Sequence, residues 1–259
     1  MTEVLEGGTE VSVADPQSNQ SAATADRALA LDERMLGPAV RPIPGVESFH
    51  RRLSDRPWSI RAKRVFDAAG ATILLIVAIP LFMLVALAIA TTSRGPVFFR
   101  QWRVGRNGER FRIWKFRSMY HDAEERLERD RAMNEAHRAN GFKFPPGQDP
   151  RVTRVGHWLR RTSLDELPQL LNVIVGQMSL VGPRPVVDDE LEHYEYNLRA
   201  YLAVRPGITG AWQVKGRSTI GFPERGEIDA DYVREWTLWG DVRILARTIP
   251  AVLRKTGAH

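Results

Sequence analysis

Cysteine is absent from all 259 residues, which removes disulfides, thiolate nucleophiles and zinc-thiolate sites together and is compatible with a reducing compartment. Neither a phosphate-binding P-loop nor a dinucleotide glycine fingerprint occurs. The histidines, His50, His121, His137, His157, His193 and His259, show no metal-ligand spacing and read as surface or structural residues. Aromatic residues are missing from Met1 to Pro44, a stretch rich in Ser, Thr, Ala, Asp, Glu and Pro with no sustained periodicity. It reads as a disordered arm with at most a short helix near Ala23 to Met35. It is no signal peptide, because acids precede any base and no apolar core follows. Charge is missing from Ala68 to Ala90, about 23 residues, long enough to span a bilayer.

What is present points to an anionic partner. The net charge is +6, which suits nucleic acid, lipid headgroups or phosphorylated substrates, and 43% hydrophobic content suffices for a real core. Arg61, Lys63 and Arg64 precede the apolar run, and Arg94, Arg100, Arg103 and Arg106 follow it. A crossing helix cannot keep both basic flanks in the cytoplasm. Pro80 sits near the middle, and halves of about 12 residues reach roughly 18 Å each, short of a hydrocarbon core of about 30 Å. A segment that enters and returns on one side competes evenly with a kinked spanning helix, and a buried core helix is the third reading.

Next, Val97 to Val104 and Arg110 to Arg117 read as a hairpin around Asn107-Gly108, the favoured centre of a two-residue turn. From Arg94 to Arg117 there are eight basic residues and one acid, interleaved with aromatics. Such a ribbon binds RNA or sits at lipid headgroups, and the neighbouring apolar run favours the membrane over nucleic acid. Asp122 to Ala139 reads as a charged, solvated helix and Phe142 to Pro150 as a loop.

The stretch Arg160 to Asn172 carries the chemistry. Leu167, Leu170, Leu171 and Ile174 recur at helical spacing and Gly176 is a stop signal. Ser163 to Glu166 fits a capping box, but that register puts Pro168 at the fifth helical position. With Asp165 as N-cap, Pro168 falls in the first turn, which is the preferred register. Either way two adjacent carboxylates lie at a helix start, beside backbone N–H groups able to hold a phosphate. Alone, such a pair is ordinary capping. Further on, Gly182-Pro183-Arg184-Pro185 mounts an arginine rigidly between prolines, which suits a phosphate clamp as well as a tight turn. Arg205 to Gly210 reads as a loop. From Tyr232 to Lys255, aromatic and aliphatic residues alternate with arginines, as in an interfacial helix or one packed on the domain.

In order and spacing these pieces resemble the bacterial sugar transferases, the monotopic phosphoglycosyl transferases that act on polyprenyl phosphate. The matching motifs are Lys63 to Asp67, Gly95 to Gln101, Lys115 to Met119, Asp149 to Arg154, Ser163 to Asn172, Met178 to Pro185, Arg205 to Gly210 and Trp236 to Trp239. The resemblance implies an α/β, mostly helical fold with a small hairpin and interfacial helices. Residues 1–57 would form the arm, 58–95 a juxtamembrane and re-entrant membrane helix broken at Pro80, and 96–259 a cytosolic catalytic domain. Many members carry Ser before that proline, where this chain has Ile79, so the break rests on Pro80. Larger members carry further N-terminal helices and a domain that this sequence lacks.

The implied reaction moves a hexose 1-phosphate from a UDP-sugar to polyprenyl phosphate, on the cytoplasmic face of the bacterial inner membrane, to begin a surface glycan such as an exopolysaccharide. Asp165 would be the nucleophile, with Mg²⁺ held by Asp165 and Glu166, and Glu166 orienting that metal or acting as base. Arg184, Arg160, Lys115 and Arg117 would bind phosphate; Gln213 and Arg217 would contact nucleotide or sugar. The segment Gly210 to Arg217 resembles members that transfer glucose or galactose phosphate. A homodimer is left open. A non-catalytic membrane scaffold explains the charge and the apolar run but not the ordered motifs. A metal-dependent phosphohydrolase differs in needing no lipid acceptor.

Overall fold

The computed structural model describes residues 57–131, 133–135, 144, 148–216 and 220–253. The expected arm before Pro57, its short helix and Arg217 lie outside the described residues. The first element, α1, is a helix over Pro57–Thr92 with Pro80 inside it. By length and composition its Ile60–Thr92 portion is long and apolar enough to cross a membrane. Its middle is the exposed part, since Ile73, Ile76, Val77, Met83 and Leu84 are all more than half exposed.

Both ends of α1 are fastened to the same folded unit. At the start, Lys63 Nζ lies 2.8 Å from buried Asp241, and Asp67 accepts from the Ser179 hydroxyl at 2.8 Å and the Leu180 amide at 3.2 Å. At the far end, Arg117 donates to the carbonyls of Ser93 and Arg94 at 2.8 Å each, while Val85 and Ile89 bury themselves against Phe116 and Leu159. These carbonyls follow the last helical turn and have no intrahelical donor, so the guanidinium completes the helix end.

Strands β1, Phe98–Val104, and β2, Arg110–Phe116, pair antiparallel as the alternating aromatic pattern predicts, with Val104 opposite Arg110. The turn differs from expectation. A loop of Gly105 to Glu109 replaces the two-residue turn, with Asn107 at φ 58° and Gly108 at φ 80°, and the Gly105 amide donates to Glu109 O at 2.7 Å. Asn and Gly still occupy the left-handed positions, but inside a short 3-10 turn. A two-residue turn would have set Arg100 opposite Lys115. The observed register sets Phe99 there, and a slip of one residue exchanges the two faces of a strand.

Helix α2, Ala123–Arg129, carries exposed pairs Arg126–Asp122 and Arg129–Glu125, four residues apart, as a solvated helix should. It ends at Asp130, whose extended backbone interrupts the longer helix expected there. Helix α3, Arg154–Thr162, starts at Thr153, whose hydroxyl accepts from the Gly156 amide at 2.8 Å. It stops at Ser163, in the left-handed region at φ 57°. The chain then makes a 3-10 turn over Leu164–Glu166 before α4, Gln169–Val175, whose N-cap is Pro168. Neither expected register forms. Ser163 is committed to ending α3, so it caps nothing onward, and Pro168 with φ −61° sits just ahead of the helix. Gly176 ends α4 at φ 93° as read from the sequence, and Arg64 and Arg205 donate to its terminal carbonyls.

Strand β3, Ser179–Val181, pairs in parallel with β4, Gly207–Thr209, where the sequence suggested only a loop. The pair is tight at Gly182 and Gly207: a Cβ on Gly207 would stand 2.1 Å from the Gly182 nitrogen. That close approach is the physical use of the glycine. A 3-10 segment over Asp188–Asn197 leads to α5, Leu198–Ala203; beyond β4 come α6, Ala211–Lys215, α7, Glu224–Arg234, and α8, Leu238–Leu253. In α8, Ile244 and Leu245 pack on the core and Thr248 bonds Thr209 at 2.8 Å, while Trp239 and Ile249 are 72% and 64% exposed. It therefore both packs on the domain and presents an apolar face. The described chain is mostly helical, with two small two-stranded sheets.

Candidate active site

The left-handed kink at Ser163 leads into a 3-10 turn that carries two adjacent carboxylates, Glu166 lining a cleft and Asp165 buried next to it. Asp165 is only 9% exposed. Glu166 is hydrogen-bonded to Lys115 of β2, with Nζ 2.8 Å from Oε1, and to the buried Gln169 side chain. Arg160, on the last turn of α3, donates from Nε to Ser118 Oγ at 2.9 Å and brings its charge to bear on Asp165. Arg184 is exposed between buried Pro183 and Pro185 and lines the same cleft, together with Arg103, Lys115, Glu166 and Gln213.

The two acids are driven apart electrostatically. Burial raises the Asp165 carboxyl to about 6, aided by its neighbour Glu166 and opposed by Lys115 and Arg160. Burial also penalises Glu166, but Lys115 and Arg184 outweigh it and hold that carboxyl below the usual range. Adjacent carboxylates with opposite shifts are suited to different tasks. Among the cations, burial and the facing Arg184 lower the pKa of Arg103, and burial lowers that of Arg160.

Of the residues predicted from sequence, Asp165, Glu166, Lys115, Arg160, Arg184 and Gln213 come together here. Arg117 does not, since its guanidinium is spent on the end of α1. Pro80 is in α1, and Arg217 is outside the described residues. Arg103 and Gln169 were missed. The signal for Arg103 was strand alternation, which puts it on the face of Ile113 and Lys115 once the register is right. Gln213 Oε1 is buried in the cleft wall without a hydrogen-bond donor, as an acceptor awaiting a ligand hydroxyl or N–H would be.

Among the described residues no group of three or more His, Cys, Asp or Glu side chains is placed to hold a metal ion. Two adjacent carboxylates are nevertheless the donor set that Mg²⁺ uses when substrate phosphates and water complete its shell, so the residues fit that ion.

The family profile described as "Bacterial sugar transferase" matches residues 58–255. The chain is 46% identical over 198 residues to an undecaprenyl-phosphate galactose phosphotransferase of Salmonella typhimurium, covering 76% of this chain and 41% of that protein. It is 44% identical over 205 residues to the exopolysaccharide production protein ExoY of Rhizobium meliloti, covering 79% of this chain and 91% of that one. To the UDP-glucose:undecaprenyl-phosphate glucose-1-phosphate transferase of Escherichia coli it is 42% identical over 195 residues, 72% of this chain and 39% of that protein. It thus spans about two-fifths of the longer relatives and most of ExoY. The match runs from the start of α1 through the Asp165 cleft to the end of α8, and the chain belongs to the bacterial sugar transferase family.

Proposed function

We propose that this chain transfers a hexose 1-phosphate from a UDP-sugar to undecaprenyl or another polyprenyl phosphate through a phospho-sugar carried on Asp165. A carboxylate buried among cations, beside a second carboxylate held ionised, is the observation that carries this reading. A carboxyl titrating at about 6 is ionised at neutral pH yet more basic than an ordinary aspartate. In the first step an Asp165 oxygen bonds to the sugar-bearing phosphorus and the bond to UMP breaks, so UMP leaves with the electron pair. In the second, a polyprenyl phosphate oxygen attacks the same phosphorus and the Asp165 bond breaks. The product is polyprenyl diphosphate sugar, and the aspartate is regenerated.

Arg184 and Arg103 face the cleft where phosphate charge would gather, and Lys115 holds Glu166 in place. Mg²⁺ bound by Asp165 and Glu166 would neutralise the phosphates that otherwise repel the nucleophile. A lowered pKa and an ion pair suit Glu166 to holding that ion better than to accepting protons. Gln213 would accept from the sugar or the base. The names of the relatives favour galactose or glucose as the sugar and exopolysaccharide synthesis as the setting.

The long apolar α1 supports placement at a membrane, which the proposed reaction makes the inner one. Lys63 and Asp67 fasten one end and Arg117 the other to one domain, with the exposed apolar middle, a helix that runs unbroken through Pro80, between them. Two ends held by one domain would share one side of the bilayer. This supports re-entry, and nucleotide sugar supply puts that side in the cytoplasm. The test is UMP release by lipid-embedded protein with Mg²⁺ over a panel of UDP-sugars, with and without polyprenyl phosphate. Release that depends on the lipid and on one sugar is expected. Steady release without lipid makes the protein a hydrolase and overturns the transfer.

A further inference from the structure

A second hollow lies away from the Asp165 cleft and shares none of its lining residues. It opens beside the first turns of α1, where Ile60 and Lys63 meet Val181 of β3, Val204, Arg205 and Trp236, with Arg106 of the hairpin loop closing one side. Most of its wall is apolar. Its cations are not equally engaged. Lys63 is spent on Asp67, Asp241 and the Val181 carbonyl. Arg205 uses Nε on Gly176 O, its one hydrogen bond among the described residues. Arg106 makes no side-chain hydrogen bond or ion pair there, and its Nε is buried without a partner. Burial lowers the pKa of Arg205, and the like charges of Arg106 and Arg64 lower it further.

Arg106 and Arg205 repel one another and keep unused donors, while the carboxylate that lines the hollow, Asp67, is already bonded to Lys63, Ser179 and Leu180, and a buried orphan donor is costly unless something fills it. The apolar wall and the aromatic Trp236 rule out a fit to a wholly polar anion. The location, at the point where α1 departs from the domain into its exposed apolar stretch, supplies the remaining chemistry. We propose that this hollow binds the phosphate of an anionic phospholipid between Arg106 and Arg205, with the start of its acyl chain along Ile60, Val204 and Trp236. This rests on the reading that α1 lies in the bilayer. The lipid is a fixed ligand of the protein, separate from the acceptor consumed at Asp165. Its effect would be to hold the domain at a set depth and tilt against anionic headgroups.

The test uses the full chain in a neutral detergent, with thermal unfolding followed in short-chain phosphatidylglycerol, short-chain phosphatidylcholine or inorganic phosphate. Phosphatidylglycerol is expected to raise Tm by about 5 °C at roughly a hundredfold excess over Kd. Phosphatidylcholine and inorganic phosphate are expected to do little. Arg106→Gln should weaken the phosphatidylglycerol effect about tenfold in concentration, as loss of one charged hydrogen-bonding group would. Arg112→Gln, a change in the exposed ribbon outside the hollow, should not.

Equal shifts with phosphatidylcholine would leave only an apolar hollow, and equal shifts with phosphate only a small-anion site; either overturns the proposal. So does an Arg106→Gln response matching wild type. Vesicle flotation separates this from the membrane reading: a chain that does not float with neutral lipid vesicles sinks the placement of α1 itself. A chain that floats but shows no Arg106-dependent preference sinks only the phospholipid site. Asp165→Asn should keep the shift, so lipid binding and sugar transfer fail independently.

Discussion

Lys115 is hydrogen-bonded to Glu166, with 2.8 Å from Nζ to Oε1, while its charge reaches Asp165 only through space. One lysine thereby fixes the second carboxylate and leaves the first unpaired and buried. This asymmetry suits the proposed roles, with Glu166 the anchored acid of lowered pKa and Asp165 the more basic one.

Asp165→Asn is expected to remove UMP release and covalent phospho-sugar labelling by at least about a thousandfold, as loss of a nucleophile does. It should not unfold the chain. The folded pKa of Asp165 is raised to about 6 from 3.8, so the native state binds the extra proton and stability falls as pH rises through that window. Above it the buried charge costs on the order of 3 kcal/mol. The variant should therefore melt a few degrees higher than wild type at pH 8, and the gain should vanish near pH 4. Wild-type turnover by the purified variant would refute the nucleophile assignment.

Activity should also carry an acid limb. Transfer needs ionised Asp165, so kcat/KM is expected to fall about tenfold per unit below pH 6. Lys115→Met takes away a cation that favours the ionised form, and the limb should move to higher pH. A limb that Lys115→Met leaves unmoved would mean that Lys115 does not act on this carboxyl.

Much of this site is legible in the sequence because the cations and carboxylates lie in short, ordered motifs. What was not legible depends on backbone geometry. Nothing local says that Ser163 will adopt φ 57° and end α3, yet that residue decides that Asp165 lies buried in a 3-10 turn instead of capping a helix. Arg103 was hidden for a similar reason, since an Asn-Gly turn of two residues places Arg100 and Trp102 on the Lys115 face. The five-residue loop from Gly105 to Glu109 restores Arg103 to it. Arg117, only two residues from Lys115, reads identically as a basic group in a basic ribbon, and only the end of α1 reveals its partner.

Two arginines predicted alike from sequence should now behave oppositely. Arg184→Ala removes an exposed guanidinium at the cleft, so Tm should stay within about 2 °C while transfer drops a hundredfold or more. Arg117→Ala strips three hydrogen bonds from a residue only 5% exposed and orphans the end of α1. It should cost about 3 kcal/mol and lower Tm by many degrees. Arg117→Lys should not restore it, because a point charge cannot span both carbonyls. Equal Tm values for the two alanine variants, by differential scanning fluorimetry in one detergent, would contradict this division.

Gly156→Ala tests how Arg160 is seated. In an isolated helix the change would favour α3 by about 1 kcal/mol. Here a Cβ would stand 1.8 Å from the Ser118 carbonyl oxygen and 2.9 Å from its Cα, and backbone cannot swing aside as a side-chain tip can. The helix must therefore shift away from Ser118. Overpacking of this kind costs about 1–3 kcal/mol, several degrees of Tm in a domain of this size. The same shift loosens the 2.9 Å bond from Arg160 Nε to Ser118 Oγ and draws that cation away from Asp165. Since Arg160 helps to keep Asp165 ionised, the acid limb should move upward along with the loss of stability. A raised Tm with an unmoved limb would show that α3 does not rest on Ser118, and that Arg160 reaches the carboxylate by some other support.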